Sequence, residues 1–320
     1  MKARLILLFL YCLAMASPHS AAAEKRLFRF AIVAPASQMQ SRDNDSADLL
    51  AALDKAKLAF VVAHGIKSAD EPCTDELYNS RKELFEQSEN ALIPSLTADD
   101  WTDCLNSSGK PAAVERLNRV RELFFSEKKS FGQSKLPLVR QSITPQFRSY
   151  SENSRWRYRN VLFATVHLPQ NNNNYVSEAG RNNEFEDRHI ANRDWLQKLF
   201  IFAKRKKMDG IVLFSDGNPL AIPSPETTMK SKARRDGFLE VRKQLLKLAS
   251  GFSGKILIVH RQKAGRRASE QSTSRIRWTR NIGETEADAG ISMISVTTAP
   301  MLFMLEEAAK KKDLSTNDQP

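Results

Sequence analysis

The sequence predicts an α/β fold built on layered sheet, and three observations carry the expectation. Short apolar runs rich in Phe, Ile and Val alternate with stretches whose apolar residues recur at helical spacing. The chain has 320 residues, 41% hydrophobic and 27% charged, enough to bury one large core or two modest ones. No internal repeat or long linker interrupts the pattern, so residues 24–309 read as one domain. The same composition excludes a collagen, a wholly disordered chain and a membrane bundle. Five His and three Cys are too few for a zinc ribbon or a disulfide-built scaffold.

Residues 1–23 read as an address. Lys2 and Arg4 precede an apolar run from Leu5 to Met15, and Ala21, Ala22 and Ala23 stand before charged Glu24, the layout of a secretory signal peptide. The run is too short to span a membrane. A periplasmic or secreted protein with no stable membrane span is expected. Cys12 leaves with the leader, so Cys73 and Cys104 remain. In an oxidising compartment this pair reads as a disulfide; two buried free thiols are the alternative.

Leu27 to Val33 opens the domain as a strand, followed by a polar loop and a helical pattern from Asp48 to Lys57. Ala59 to Val62 reads as a short buried strand. Thr74 or Asp75 can cap a helix with Leu77, Tyr78, Leu84 and Phe85 on one face, and Leu92 with Ile93 suggests a third strand. Ala112 to Phe125 is a second helix, whose expected stripe is Val114, Leu117, Val120, Leu123 and Phe124. In the second half, Val161 to His167 is a strong strand and Gln170 to Asn174 a polar loop. Asn182 or Asn183 opens a long helix through Ala203 that closes on the basic turn Lys204 to Lys207. Gly210 to Phe214 and Lys255 to His260 are buried strands either side of a basic helix near Arg235 to Ala249. Ile276 to Arg280, Ile291 to Thr297 and Met301 to Leu305 are short strands, and the polar tail 310–320 reads as disordered.

Beyond these elements, a series of residues forms a recognisable order. It runs Ile66-Lys67-Ser68, Pro72-Cys73, Asp75, Tyr78, Arg81 and Leu84-Phe85, then Trp101-Thr102-Asp103-Cys104, Glu115-Arg116-Leu117 and Arg121 to Phe125. It continues through Arg140-Gln141, Glu152-Asn153, Arg155-Trp156, Phe163 to His167, Glu184-Phe185, Arg188, Asn192 and Trp195-Leu196, and weakly Ile256 to His260. In this order and spacing, which cover most of residues 27–305, the chain resembles a secreted bacterial branch of the calcineurin-like metallophosphoesterases. The resemblance implies a sandwich of two mixed β-sheets flanked by α-helices, with a site for two divalent metals at the strand ends. In such a site the metals activate a hydroxide and clamp the phosphoryl oxygens.

Aligned on that resemblance, the metal-ligand positions are replaced. The Asp expected after the first strand falls in Ala34-Pro35-Ala36, and the family's Gly-Asp reads His64-Gly65. Its Gly-Asp-Asn-Glu reads Thr97-Ala98-Asp99-Asp100, and the terminal His-Gly-Asp-x-His survives only as His260, followed by Arg261, Gln262, Lys263 and Ala264. Arg261 and Lys263 bring positive charge toward the expected cation positions. Cys73, Cys104, Trp101, Arg140, Trp156 and Trp195 keep the family's supporting pattern. No cofactor is therefore expected, and the chain reads as a pseudoenzyme that binds or interacts. The alternative is a phosphoesterase rebuilt on His64, Asp99, Asp100, His167 and His260, three of them His at the ends of apolar strands. The bland readings are a hydrogen-bonded structural His for His64 and solvated or capping acids for Asp99 and Asp100. His189 reads as surface or packing, and Asp216 as part of a turn, with a functional role as the alternative.

The net charge of +12, from 49 Lys and Arg against 37 Asp and Glu, is concentrated. Residues 201–280 hold 19 Lys or Arg and 6 Asp or Glu, clustered at Lys204 to Lys207, Lys230 to Arg235, Arg261 to Arg267 and Arg275 to Arg280. This region reads either as solvated helix ends and loops or as a polyanion-binding face. No RNP motif, zinc finger or helix-turn-helix pattern points to specific nucleic-acid recognition.

Overall fold

Strands from both halves of the chain, most of them with an apolar centre, come together as two mixed sheets. In this computed structural model the described residues are 26–34, 52–175, 182–223, 235–261, 275–287, 290–298 and 300–306. The first sheet contains β1 (Arg26–Ala34), β2 (Val61–His64), β3 (Leu92–Ser95), β11 (Gly290–Thr297) and β12 (Phe303–Glu306), in the order β12-β11-β1-β2-β3. The second contains β4 (Val139–Arg140), β5 (Ser154–Tyr158), β6 (Val161–Thr165), β7 (Gly210–Ser215), β8 (Lys255–Arg261), β9 (Arg277–Thr279) and β10 (Ile282–Ala287), in the order β4-β5-β6-β7-β8-β10-β9. Strands β1, β2 and β3 run parallel, as do β6, β7, β8 and β10; the pairings β1 with β11, β11 with β12, β4 with β5, β5 with β6 and β9 with β10 are antiparallel. The carboxyl ends of the parallel strands therefore gather at one rim of each sheet, where open α/β sheets place their ligands.

Phe30, Phe60, Trp156, Phe163 and Phe214 fill the space between the sheets, with Phe60 and Phe163 ring centroids 4.9 Å apart and Trp156 stacked 5.9 Å from Phe214. Burial of each such ring contributes roughly 1.5–3 kcal/mol. The outer face of the first sheet is covered by α1 (Asp75–Gln87) and α2 (Ala113–Phe124) through Tyr78, Phe85, Leu117, Val120 and Phe124. The outer face of the second is covered by α3 (Asn183–Arg205) and α4 (Leu239–Ser250) through Trp195, Leu196, Leu199, Phe200, Val241 and Leu245. The result is a helix, sheet, sheet, helix sandwich.

Local signals set the helix ends. Thr74 accepts a hydrogen bond from the Leu77 amide at 3.3 Å and Asp75 and Glu76 occupy the first turn of α1, satisfying free N–H groups and the helix dipole. Lys204 and Arg205 close α3 for the converse reason. Cys73, just before α1, and Cys104 lie at disulfide distance with Cα atoms 5.7 Å apart, which fits an oxidising compartment. No helix among the described residues is long and apolar enough to cross a membrane.

Several expectations shift. Val114 is 53% exposed, because Ala113 takes the inward position of that turn and the next residue is rotated about 100° away. The Ala59 to Val62 strand begins later, at Val61, and Val161 to His167 ends at Thr165. Strands β4, β5 and β10 were not expected: Arg155 and Arg157 alternate with Trp156 in β5, and Gly283, Glu284 and Glu286 dilute β10. Of the helical pattern from Asp48 to Lys57, Ala52 to Asp54 are helical, and residues 48–51 lie outside the described residues. The leader 1–23 and the tail 310–320 also lie outside them.

Candidate functional site at the strand ends

Chain direction brings four strand ends together: His64 closes β2, Ser95 closes β3 ahead of a 3-10 turn (Ala98–Asp100), Ser215 closes β7 and Arg261 closes β8. Gly65, at φ +106, turns the chain immediately after His64, a backbone conformation that favours glycine. The side chains of Asp99, Asp216 and Arg261 bind the two sheets to one another here.

Arg261 is the hub. Its Nε donates to Asp216 Oδ1 at 2.8 Å and its Nη1 to Asp99 Oδ2, so one guanidinium from the second sheet joins the loop after β7 to the loop after β3. Burial works against its charge, yet Asp216 and Asp99 outweigh that and push its pKa up. Asp216 is fully buried, and its Oδ2 accepts from the Ala98 amide at 2.7 Å and the Gln170 amide at 2.8 Å. Burial raises its pKa against the pull of Arg261 and both amides. Asp216 is therefore a tie between three loops, where the sequence suggested a simple turn.

Asp100 is spent on its own loop and the neighbouring one. Oδ1 accepts from the amides of Ile66 at 2.8 Å and Lys67 at 3.0 Å, and Oδ2 from the amide and hydroxyl of Thr97 at 2.7 and 3.0 Å. Burial lifts its pKa to about 6 against these four donors. The Tyr78 hydroxyl donates to the Asp100 carbonyl at 2.9 Å, fixing the turn onto α1.

The histidines divide into two groups. His64 is fully buried, and among the described residues neither ring nitrogen meets a partner in hydrogen-bond geometry. Burial first, then the charges of Arg261 and His260, lower its pKa to about 3, with the nearby Ser215 backbone opposing. His260 places Nδ1 3.1 Å from the Arg261 carbonyl, which can only accept, so Nδ1 carries the proton and Nε2 is an unpartnered acceptor. Burial lowers its pKa as well. His167 belongs to a different cluster. Its Nδ1 is 2.9 Å from Glu152 Oε1, and Arg121 grips the same carboxylate with Nε at 2.9 Å and Nη2 at 2.6 Å. Burial would raise the Glu152 pKa, but Arg121 and His167 overcome it and hold the carboxylate ionised well below its usual range. The His167 amide donates to Asn153 Oδ1 at 2.8 Å, Asn192 Nδ2 donates to its carbonyl at 2.7 Å, and the Trp101 ring meets its edge at 5.5 Å.

His64, His260, Asp99 and Asp100 are thus gathered around Arg261, while His167 is held by Glu152, Asn153, Asn192 and Trp101. His189 stacks on Phe185 in α3, a packing role. The positions of Pro35, Gln262, Lys263 and Ala264 lie outside the described residues. The sequence offered Asp216 as a turn residue first and as a functional residue second; its place just after the buried stretch Ile211 to Phe214 was the signal for a buried role.

The basic region is less open than its composition suggests. Besides Arg261, Arg242 pairs with Asp236 at 2.8 Å, Arg277 with Glu284 at 3.1 Å and Lys243 with Glu240 at 3.1 Å. Residues 224–234 and 262–274, which carry much of the remaining charge, lie outside the described residues.

A two-metal centre needs several anionic or imidazole donors converging on each ion. Ala98 and Gly65 offer no donor, Asp100 is saturated by four donors, and Asp99 and Asp216 already face a guanidinium. Among the described residues this leaves the imidazoles of His64 and His260 as donors with no open carboxylate beside them, and no group of three His, Cys, Asp or Glu that could hold a metal ion is found there. No family model matches the chain, and no curated protein matches it.

Proposed function

We propose that this chain is an exported protein of metallophosphoesterase-like architecture whose strand-end site has been closed for structural use, and that it acts by binding, without phosphoester hydrolysis. The observation that carries the reading is Arg261, whose guanidinium lies between Asp99 and Asp216 at the rim where the resemblance places cations. A fixed positive charge there repels divalent metal and ties up both carboxylates. Without metal, nothing at the rim brings the pKa of water from 15.7 toward about 7, so no hydroxide nucleophile forms at neutral pH. The sandwich architecture and the Cys73 and Cys104 pair support the family and the export. A polyanion-binding role for the basic region 201–280 is compatible with this reading and predicts salt-sensitive retention on heparin.

One observation favours the rebuilt-site alternative: among the described residues both ring nitrogens of His64 and Nε2 of His260 have no partner, and the charge of His260 acts on His64. Hydrolysis assays on a phosphomonoester and a phosphodiester, with Mn, Fe or Zn supplied to the full chain, separate the two. The proposal expects rates at the uncatalysed background. Hydrolysis that His64→Ala and His260→Ala abolish would overturn it in favour of the phosphoesterase.

A further inference from the structure

A second basic site lies away from the strand-end rim, on the outer face of the second sheet beside its short edge strand β4. Sequence spacing makes one wall: Lys198, Ile201, Phe202 and Arg205 fall at i, i+3, i+4 and i+7 of α3 and so share one helix face. The opposite wall is Arg155 of β5 with Val139, Ile143 and Thr144 near the β4 edge, and together they line a half-open cavity of about 490 Å³. That lies within the size range of small-molecule sites, roughly 300–1,000 Å³.

Of the five cations that line the cavity, Arg155, Arg205 and Lys206 have no ion pair among the described residues, while Arg140 donates to the carbonyls of Glu127 and Ser151. Arg155 is half-buried and lies 4.0 Å over the Phe202 ring, with no carboxylate and no hydrogen bond to it among the described residues. Burial lowers its pKa and no neighbouring acid opposes the shift. Arg205 and Lys206 likewise have no ion pair among the described residues, whereas Lys198 is paired with Asp194 at 2.8 Å. Beside these cations the rim carries two exposed apolar side chains, Ile143 at 65% and Ile201 at 45%. An unpaired guanidinium already stripped of part of its water binds an oxyanion at a lower desolvation penalty than an exposed one, and its planar fork matches phosphate oxygens in pairs.

We propose that this cavity binds a small phosphate ester carrying a short apolar group, the phosphate between Arg155, Arg205 and Lys206 and the apolar group against Ile143 and Ile201. Three unpaired cations favour a phosphate dianion over a single carboxylate. The cavity is half open and has room for one small molecule, so a soluble phosphate ester is the occupant proposed and a lipid headgroup is an outcome of the test.

The test is calorimetric titration of the full chain with hexyl phosphate, inorganic phosphate and phosphatidic acid vesicles at low ionic strength. Hexyl phosphate should bind at least tenfold more tightly than inorganic phosphate. Arg205→Gln, at an exposed helix end that leaves folding intact, should weaken hexyl phosphate about tenfold, and Arg155→Gln should do so at least as strongly. Ile201→Ser should weaken hexyl phosphate and leave inorganic phosphate unchanged. No binding of hexyl phosphate at millimolar concentration, an affinity unmoved by Arg205→Gln, or binding to vesicles alone would overturn the proposal.

Discussion

Arg261 and Arg155 both belong to the second sheet, in β8 and β5, and both lose much of their water. Arg261 meets Asp99 and Asp216, and Asp216 is itself tied to the amides of Ala98 and Gln170. Arg155 meets the face of Phe202 and no acid among the described residues. Burial alone therefore does not decide what a cation does in this fold. Where carboxylates answer it, the guanidinium becomes a brace between loops; where only an aromatic ring supports it, the charge is left available to a ligand.

The largest expected effect breaks the brace. Asp216→Ala strips the buried Arg261 of its Nε partner and leaves two amides unsatisfied, and it should destabilise the fold by about 3–5 kcal/mol in urea unfolding. Arg155→Gln, which breaks no ion pair, should cost less than about 1 kcal/mol in the same assay. Equal losses would erase the distinction between the two sites.

The loop that carries Asp99 and Asp100 is held to α1 by Cys104 and Cys73. Their separation of 31 residues implies roughly 3–4 kcal/mol from loop closure in the chain-entropy model. Reduction should lower the unfolding free energy by that order. Labelling of the unreduced, denatured chain should find neither thiol free; two labelled thiols would refute the bridge.

Acid provides the third comparison. His64 has a folded pKa of about 3, below its unfolded value near 6.5, so the unfolded chain binds the proton first. Its contribution to stability is present above pH 6.5 and is lost as pH falls toward 3, at about 1.4 kcal/mol per pH unit. Asp100, raised to about 6, works in the opposite sense between pH 6 and its unfolded value. The difference between wild type and His64→Leu isolates the histidine. Between pH 7 and pH 5, wild type should lose about 2 kcal/mol more than the variant in urea unfolding. Parallel losses would mean that the His64 ring is not held neutral.

The smallest effect sharpens the groove. Arg205 is exposed and unpaired among the described residues, so Arg205→Gln should move the melting temperature by less than about 2 °C. A larger fall would mean that Arg205 serves the fold and is not free for a ligand.

Much of the scaffold was legible because its signals are local. The Thr74 cap, the apolar runs of β1, β6, β7 and β8 and the Leu117, Val120 and Phe124 stripe each lie within a few residues of chain. Strands β4 and β5 escaped because arginines occupy the outward positions of β5 and β4 has two residues, so their sheet is defined by pairing and not by pattern. At the rim, sequence placed His64, His260, Asp99 and Asp100 near strand ends, but their relation depends on contacts across 162 residues, from Arg261 to Asp99. Asp216 read as a turn since Ser215-Asp216-Gly217-Asn218 is turn chemistry; its burial and its hold on Ala98, 118 residues away, are tertiary facts. The unanswered charge of Arg155 was invisible for the same reason, because the lack of a counterion is a property of three dimensions.

With its guanidinium between Asp99 and Asp216, Arg261 would fill the place of a cation and leave the strand-end rim without affinity for divalent metal. Titration of the chelator-treated full chain with Mn²⁺ by isothermal calorimetry at neutral pH tests it most directly. The account expects no stoichiometric binding; one or two equivalents bound at micromolar affinity, and lost in His64→Ala or His260→Ala, would contradict it.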